Sequence, residues 1–440
     1  MADSHSQLDV HSSRRSVLKA TGLTGTVGLA GCLGVLGDGN DGDVTLQIRH
    51  MDAPGLEDQL DKHTADFEDE TGIAVEYELM GWGEASEQQM ASITSQSGPD
   101  VEEIASSWIP QQVEAGGWMD MQEIDGYQEL DPFFDPVQDV AMYDGKQIGV
   151  PWYWGPRGHL QYDPLLENAG LDGSPSTWDE LADMNEQFQS EYPDKNLFGL
   201  TGVVPDLGHH FATLTWQNGG QLLSDDNSEV TFNSDAAVEG MNYWASLISE
   251  HDAIPSSSAE WGPNEINSAF INERIGSLWG SLTAVERFEE ERDDVSREDF
   301  SIHELPAGPN GDSATFFGLE LVGIHPWTDH PTEAAKWVSY LSKQQVNGEL
   351  SKSVGFLPTR EDSFELDIYE GHLYDSFQEE ILPTGKTFPA VLGWGQVEES
   401  INNAVGEILT SVATDNWDES VTREELDDAA QQAQNALDNQ

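Results

Sequence analysis

Residues 44–79, VTLQIRHMDAPGLEDQLDKHTADFEDETGIAVEYEL, switch from one periodicity to another and back, and that switch decides the fold class. Val44 to His50 alternates apolar and polar side chains, the two-residue period of a half-buried strand. Gly55 to Thr71 instead brings Leu56, Leu60, His63 and Phe67 onto one face at helical spacing, and Thr71-Gly72 is a stop signal. Ile73 to Leu79 returns to the strand pattern. Gln88 to Gln96 reads as a helix that ends at Ser97-Gly98-Pro99, and the apolar run Val101 to Ala105 follows as a third strand. Strands separated by helices predict an α/β fold with a largely parallel sheet, whose ligands sit beyond the carboxyl ends of the strands.

The chain has 440 residues with 14 Trp, 16 Phe and 10 Tyr, enough to fill more than one core, so two lobes are expected. Its 82 Asp and Glu stand against 18 Lys and Arg, a formal net charge of −64. The acids are interleaved with Trp, Phe, Leu and Ile rather than gathered in a tail, and with 37% apolar residues this is a folded acidic protein. Such a surface repels itself in dilute buffer, whereas at molar salt the Debye length falls to about 3 Å and screens the repulsion. The composition therefore predicts adaptation to very high salt. It also argues against nucleic acid as a partner, because phosphate contacts need Lys and Arg clusters that the chain lacks.

Near the start, Ser13 to Cys32 reads SRRSVLKATGLTGTVGLAGC. Arg14, Arg15 and Lys19 precede Ala20 to Gly31, a Gly- and Thr-rich run too short for a hydrocarbon core that needs roughly 20 apolar residues. Residues 1–31 are read as a signal peptide. SRRSVLK resembles the twin-arginine export signal, with Val17 where Phe is usual. Leu29-Ala30-Gly31-Cys32 resembles a lipobox, which implies cleavage before Cys32 and a lipid on its thiol; an incidental thiol in a disposable leader is the alternative. Residues 32–43, rich in Gly, Asp and Asn, read as a flexible tether. Cys32 is the only cysteine, so the mature chain has no disulfide.

Asp144 to Phe188, DGKQIGVPWYWGPRGHLQYDPLLENAGLDGSPSTWDELADMNEQF, carries a family resemblance. Its order of Asp-Gly-Lys, a strand to an apolar-Pro step, an aromatic crossover, an Asp-led helix, Ala-Gly-Leu and Thr-Trp-Asp-Glu-Leu is similar to the extracellular solute-binding proteins (family 1) of ABC importers. Within that family it resembles the carbohydrate-binding, maltose-binding-protein-like group, here as a haloarchaeal-type lipoprotein. Residues 67–75 (FEDETGIAV), 98–101 (GPDV), 218–220 (NGG), 230–234 (VTFNS), 269–280 (AFINERIGSLWG), 305–308 (LPAG), 333–341 (EAAKWVSYL) and 355–360 (GFLPTR) extend the resemblance over nearly the whole mature chain. It implies a two-lobed periplasmic-binding-protein-like fold of type II, each lobe a mostly parallel sheet flanked by helices, hinge-linked with a ligand cleft between. Residues 44–152 and 283–343 would form one lobe, and 157–280 and 348–440 the other. The crossings would fall near Tyr153-Trp154-Gly155 and Gly280-Ser281-Leu282.

Sugars present C–H faces that pack on aromatic rings and hydroxyl rims that need carboxylates, amides or backbone groups. The resemblance points to Asp52, Trp82 and Trp108 after the first three strands, Tyr153 and Trp154 at the crossover, and His209 before a helix. It points further to Trp279 before the second crossing, Gly318 and Glu320 in the loop opening a late strand, and Trp394 at the start of a C-terminal helix. For Trp82, Trp279 and Trp394 cleft and core are both open, and Asp52, Glu320 and His209 have a surface reading as well. Trp178 and Trp337 sit in helical patterns and are assigned to the core. Two positions depart from the family pattern: Ala105 replaces a common polar residue, and Gly280-Ser281-Leu282 replaces Gly-Pro-Trp.

The resemblance implies a monomeric receptor outside the cell, anchored to the outer face of the cytoplasmic membrane through Cys32. It would pass a small-molecule carbohydrate to the permease subunits of an ABC transporter, using no cofactor, metal or catalytic residue. The alternatives are an exported carbohydrate-active hydrolase, a purely structural surface protein, and a binding protein of the same fold for a polyol, phosphoester or polyamine. The sequence contains no Gly-x-Ser-x-Gly, His-Glu-x-x-His or phosphate-cradling Lys motif, and the adjacent His209-His210 lack a companion ligand cluster.

Overall fold

In the computed structural model, which describes residues 44–53 and 55–439, β1 (Thr45–Met51) runs parallel to β2 (Ala74–Met80) and to β3 (Val101–Ala105). The helix Leu56–Thr71 joins the first two and buries Leu56, Leu60, His63 and Phe67, the face its periodicity predicts. Phe67 meets the edge of Trp337 at 5.1 Å, so the helix Pro331–Leu341 covers the same layer. The next helix, Trp82–Ser95, starts six residues before the predicted Gln88, directly after an extended Gly81.

Asp144 and Gly145 both adopt positive φ, 49° and 75°, and turn the hairpin of β4 (Met142–Tyr143) and β5 (Lys146–Gln147). That geometry is why an Asp-Gly pair stands there. β6 (Val150–Pro156) then enters the larger sheet and β7 (Gly158–Tyr162) the smaller, with Arg157 alone between them. The smaller sheet is completed by β8 (Asn196–Gly199), β9 (Ile275–Gly280) and β10 (Phe300–His303), in the order β10-β7-β9-β8. The larger is completed by β11 (Thr315–Ile324), β12 (Leu357–Pro358) and β13 (Gly385–Lys386). Its order is β12-β6-β11-β3-β1-β2, with β13 on β11.

Two expectations are corrected by this pairing. Both sheets are mixed rather than mostly parallel, because the strands that carry the chain between lobes run against their neighbours: β11 is antiparallel to β3 and β6, and β7 to β9 and β10. The chain also stays on the smaller sheet beyond residue 283. Phe288, on the helix Leu282–Glu291, packs on Tyr162, Phe270 and Phe300 at 5.0–5.3 Å, and this apolar cluster holds residues 283–303 there. The return to the larger sheet falls between His303 and Thr315. Residues 348–440 are likewise divided: β12 and β13 join the larger sheet, whereas the helix Trp394–Ala413 meets the helix Asp206–Gln217, the Asn402 Oδ1 accepting from Gly208 N at 2.8 Å.

Among the described residues no helix is long and apolar enough to cross a membrane. Arg14, Arg15, Cys32 and the tether lie outside the described residues.

A buried ionic chain ties three strands of the larger sheet together. Arg49 on β1 donates to Glu102 on β3 at 2.5 Å, and Glu102 lies 2.9 Å from His325 Nε2 just past β11. His325 is sandwiched between Trp118 and Trp327, each with its ring centroid 4.1 Å away. Removing one partner of such a network leaves the others charged or polar without compensation. Glu102→Ala is expected to destabilise the protein by about 3–5 kcal/mol, read from the denaturant midpoint in molar salt; a loss below about 1 kcal/mol would show the network to be dispensable.

Candidate functional site

The ends of β2 and β3 set one wall of a cleft. Beyond β2, Gly81 is extended and Trp82 opens a helix; beyond β3, Ser106 to Trp108 form a single turn. The two indoles meet edge to face at 6.2 Å, Trp108 leaning on Met51, Met80 and Ala85 while Trp82 remains 42% exposed. β11 supplies the back of the cleft. Phe316, Gly318 and Glu320 alternate along it, so one face of the strand looks into the cavity. Gly318 leaves that face open: a Cβ added there would come no nearer than 3.9 Å to Glu320 and Phe316.

The opposite wall comes from the start of the helix Asp206–Gln217 and from the chain after β13. Val204, Pro205 and His209 face Thr387 and Phe388, and Glu398 enters from the helix Trp394–Ala413. Together these groups enclose about 510 Å³, within the usual range of small-molecule sites. The His209 imidazole stacks on Phe316 at 4.0 Å, and Phe316 leans on Phe388 at 4.6 Å.

Electrostatics divide the site. Beneath the floor, Glu103 accepts from Met51 N at 2.9 Å and from the Tyr153 hydroxyl at 2.6 Å, and Gln89 donates to its carbonyl at 2.5 Å. Burial, reinforced by the Glu103 charge, pushes the Glu320 carboxyl well above the usual carboxylate range, with Arg157 pulling the other way. Burial raises Glu398 to about 7 against the pull of the nearby Trp394 indole. On the far side, Arg157 pairs with Asp206 at 2.6 Å, and Thr201 Oγ1 donates to the same carboxylate at 2.9 Å. Burial opposes ionisation of Asp206, but Arg157 and His209 outweigh it and hold that carboxyl well below its ordinary value. Burial lowers His209 despite Asp206 at 3.5 Å, and lowers His210, which meets Thr201 rather than the cavity, to about 3.

Trp82, Trp108, His209, Gly318 and Glu320, all pointed to by the sequence, line this one cavity. The other candidates do not. Asp52 is exposed beyond β1, its N–H donating to Met80 O at 2.8 Å. Tyr153 is engaged by Glu103 and stacked on Phe356, and Trp154 is buried with its Nε1 donating to Pro358 O at 3.0 Å. Trp279 fills the core of the smaller lobe against Phe198 and His210, and Trp394 lies buried behind Phe388 at 4.8 Å. Gly318 and Glu320 lie within β11 itself rather than in a loop before it. Phe316, Phe388 and Glu398 line the cavity without having been marked by the sequence; the two-residue spacing from Gly318 back to Phe316 was the available signal.

A cleft set between two α/β sheets linked by crossing strands, and lined by aromatic rings and two carboxyl groups, defines a two-lobed solute-binding protein. The chain belongs to the bacterial extracellular solute-binding protein family, whose model matches residues 62–372. Among curated relatives, the diacetylchitobiose binding protein DasA of Streptomyces coelicolor is 24% identical over 382 residues, covering 85% of this chain and 86% of DasA. Among solved structures, the GacH receptor of Streptomyces glaucescens, studied unliganded and with acarbose, has a TM-score of 0.76 at 17% identity over 89% of this chain and 99% of its own. The sugar-binding protein MalE of Xanthomonas citri has a TM-score of 0.77 at 21% identity over 90% of this chain and 98% of its own. These likenesses establish the shared fold.

Glu398 has a testable consequence. Its folded value of about 7 lies above the ordinary 4.5, so the native state holds the proton more tightly and the ionised side chain penalises folding above pH 7. The penalty disappears as the pH falls towards 4.5. Glu398→Gln should therefore stabilise the protein at pH 8, by up to about 3 kcal/mol, and leave its stability unchanged at pH 4. Equal effects at both pH values in chemical denaturation would show the carboxyl to be solvated.

Proposed function

We propose that the protein is the extracellular substrate-binding component of an ABC importer and that it captures a sugar or oligosaccharide in this cleft for delivery to a membrane permease. The observation that carries this reading is the pairing of Trp82 and Trp108 on one lobe with Phe316, Phe388, Glu320 and Glu398 around a single cavity, aromatic platforms beside polar clamps. The relatives support it: DasA is a diacetylchitobiose binding protein, GacH was seen with acarbose, and MalE is a sugar-binding protein. They are binding proteins, and the present chain is read as a receptor without catalysis.

Closure completes the mechanism. Trp82 at 42% and Val204 at 63% exposure are apolar groups on opposite lips of the cleft, and a ligand that touches both lobes favours the state in which they are covered. We further read Arg14-Arg15 as a twin-arginine signal and Cys32 as the lipidated anchor that holds a monomeric, salt-adapted receptor at the outer face of the membrane. Mass spectrometry of Cys32 in protein from its native membrane tests the anchor: a lipid mass on an N-terminal cysteine is expected, and a free thiol would overturn it.

A thermal-shift screen of residues 33–440 in molar salt, against sugars, polyols, amino acids, polyamines and simple anions, tests the function. A ligand confined to the folded state contributes about 2.7 kcal/mol at a hundred times its Kd. A shift from one carbohydrate class is expected, and Trp82→Ala should then weaken that binding at least tenfold with little change in the unliganded melting temperature. A shift from another class alone would end the sugar assignment, and turnover of an oligosaccharide would establish a hydrolase.

A further inference from the structure

The cavity is lined by two carboxyl groups, Glu320 from β11 and Glu398 from the C-terminal helix, and by no Lys or Arg. The cations nearby are committed elsewhere. Arg157, whose field reaches Glu320, is paired with Asp206 at 2.6 Å. Lys386, beside the cavity residue Thr387, lines the neighbouring groove with its Nζ 5.9 Å from the Trp216 ring centroid. His209, the other titratable group on the wall, is disfavoured as a cation by burial. The walls also carry the hydroxyls of Ser106, Ser107 and Thr387 and four aromatic rings, of which Phe316 is stacked on His209 while Trp82, Trp108 and Phe388 also border the cavity, and aromatic faces attract positive charge.

An anionic sugar would find no basic side chain on the wall to receive it. A neutral sugar would accept hydrogen bonds from the protonated, half-buried carboxyls but would gain nothing from their ionised form. A cation pairs with the ionised form and needs no basic side chain on the wall. We propose that the cleft selects a sugar carrying an ammonium group, an amino sugar, whose charge is met by Glu320 and Glu398 while its C–H faces pack on Trp82 and Trp108. This inference rests on the sugar reading above.

The test is isothermal titration of residues 33–440 in molar salt at neutral pH with matched ligands. These are glucose, glucosamine and N-acetylglucosamine, their α- and β-linked disaccharides, and putrescine as a cation without a sugar ring. The amine forms are expected to bind at least tenfold more tightly than their hydroxyl and acetamido counterparts. Glu320→Gln and Glu398→Gln, checked for an intact melting transition, are expected to shrink that preference several-fold, the affinity for the amine forms falling further than that for the neutral forms. Neutral sugars that bind as well as or better than the amines would overturn the inference and leave the receptor reading standing. Binding of putrescine alone, or of nothing in the panel, would overturn both.

Discussion

Arg157 is the single residue by which the chain leaves the larger sheet for the smaller, and it is held from both sides. Its N–H donates to Thr315 Oγ1 at 3.3 Å and its carbonyl accepts from the same hydroxyl at 2.7 Å, so the outgoing crossing is pinned to the first residue of the strand that returns. Its guanidinium pairs with Asp206 at the start of a helix that walls the cleft. One residue thereby links hinge, returning strand and ligand wall. Any rotation of the smaller lobe about this point alters the gap between the helix carrying His209 and the strand ends carrying Trp82 and Trp108. The same ion pair commits the local cation to Asp206, so that it reaches Glu320 only through its field.

Behind the floor, Glu103 plays the complementary part. Its carboxylate is taken up by the Met51 N–H and the Tyr153 hydroxyl, which fixes the ends of β1, β3 and β6 relative to one another. A carboxylate so engaged is a poor ligand group but a fixed charge. Glu320 pairs in register with Ala105 on β3 and Tyr153 on β6, and the combination of burial and the Glu103 charge keeps its proton on. At Ala105, where the sequence departs from the family pattern, a small apolar side chain stands at the cavity edge, and the nearest carboxyl group is that of Glu320 on the adjacent strand.

The fold was legible where one period governed a segment. The strands from residues 44, 73 and 101 and the Leu56–Thr71 helix are found within a residue of their predicted bounds, because burial on one face imposes the pattern directly. Strand direction was not legible. β6, β7 and β11 look like other apolar strands in sequence, and only the double crossing makes them antiparallel. The site divides similarly. Trp82 and Trp108 follow strand ends, a place the fold class assigns to ligands, whereas Tyr153 and Trp154 occupy a hinge strand whose two faces are both covered. Trp394 shows the limit of the rule: the aromatic at the right helix start is one layer too deep, and Phe388 stands in front of it.

The acids carry the last lesson. Among 82 Asp and Glu, nothing in the sequence distinguishes Glu398 from its neighbour Glu399, and the abundance of acids hides the two that line the cavity. Burial separates them. On the surface, water and counter-ions screen a carboxylate, so another one changes little. In the cavity that screening is weaker, and a cationic ligand that pairs with Glu320 or Glu398 would draw off their protons, coupling its binding to proton release. The two carboxyl groups that line the cavity are thus set apart by their surroundings, which composition cannot express.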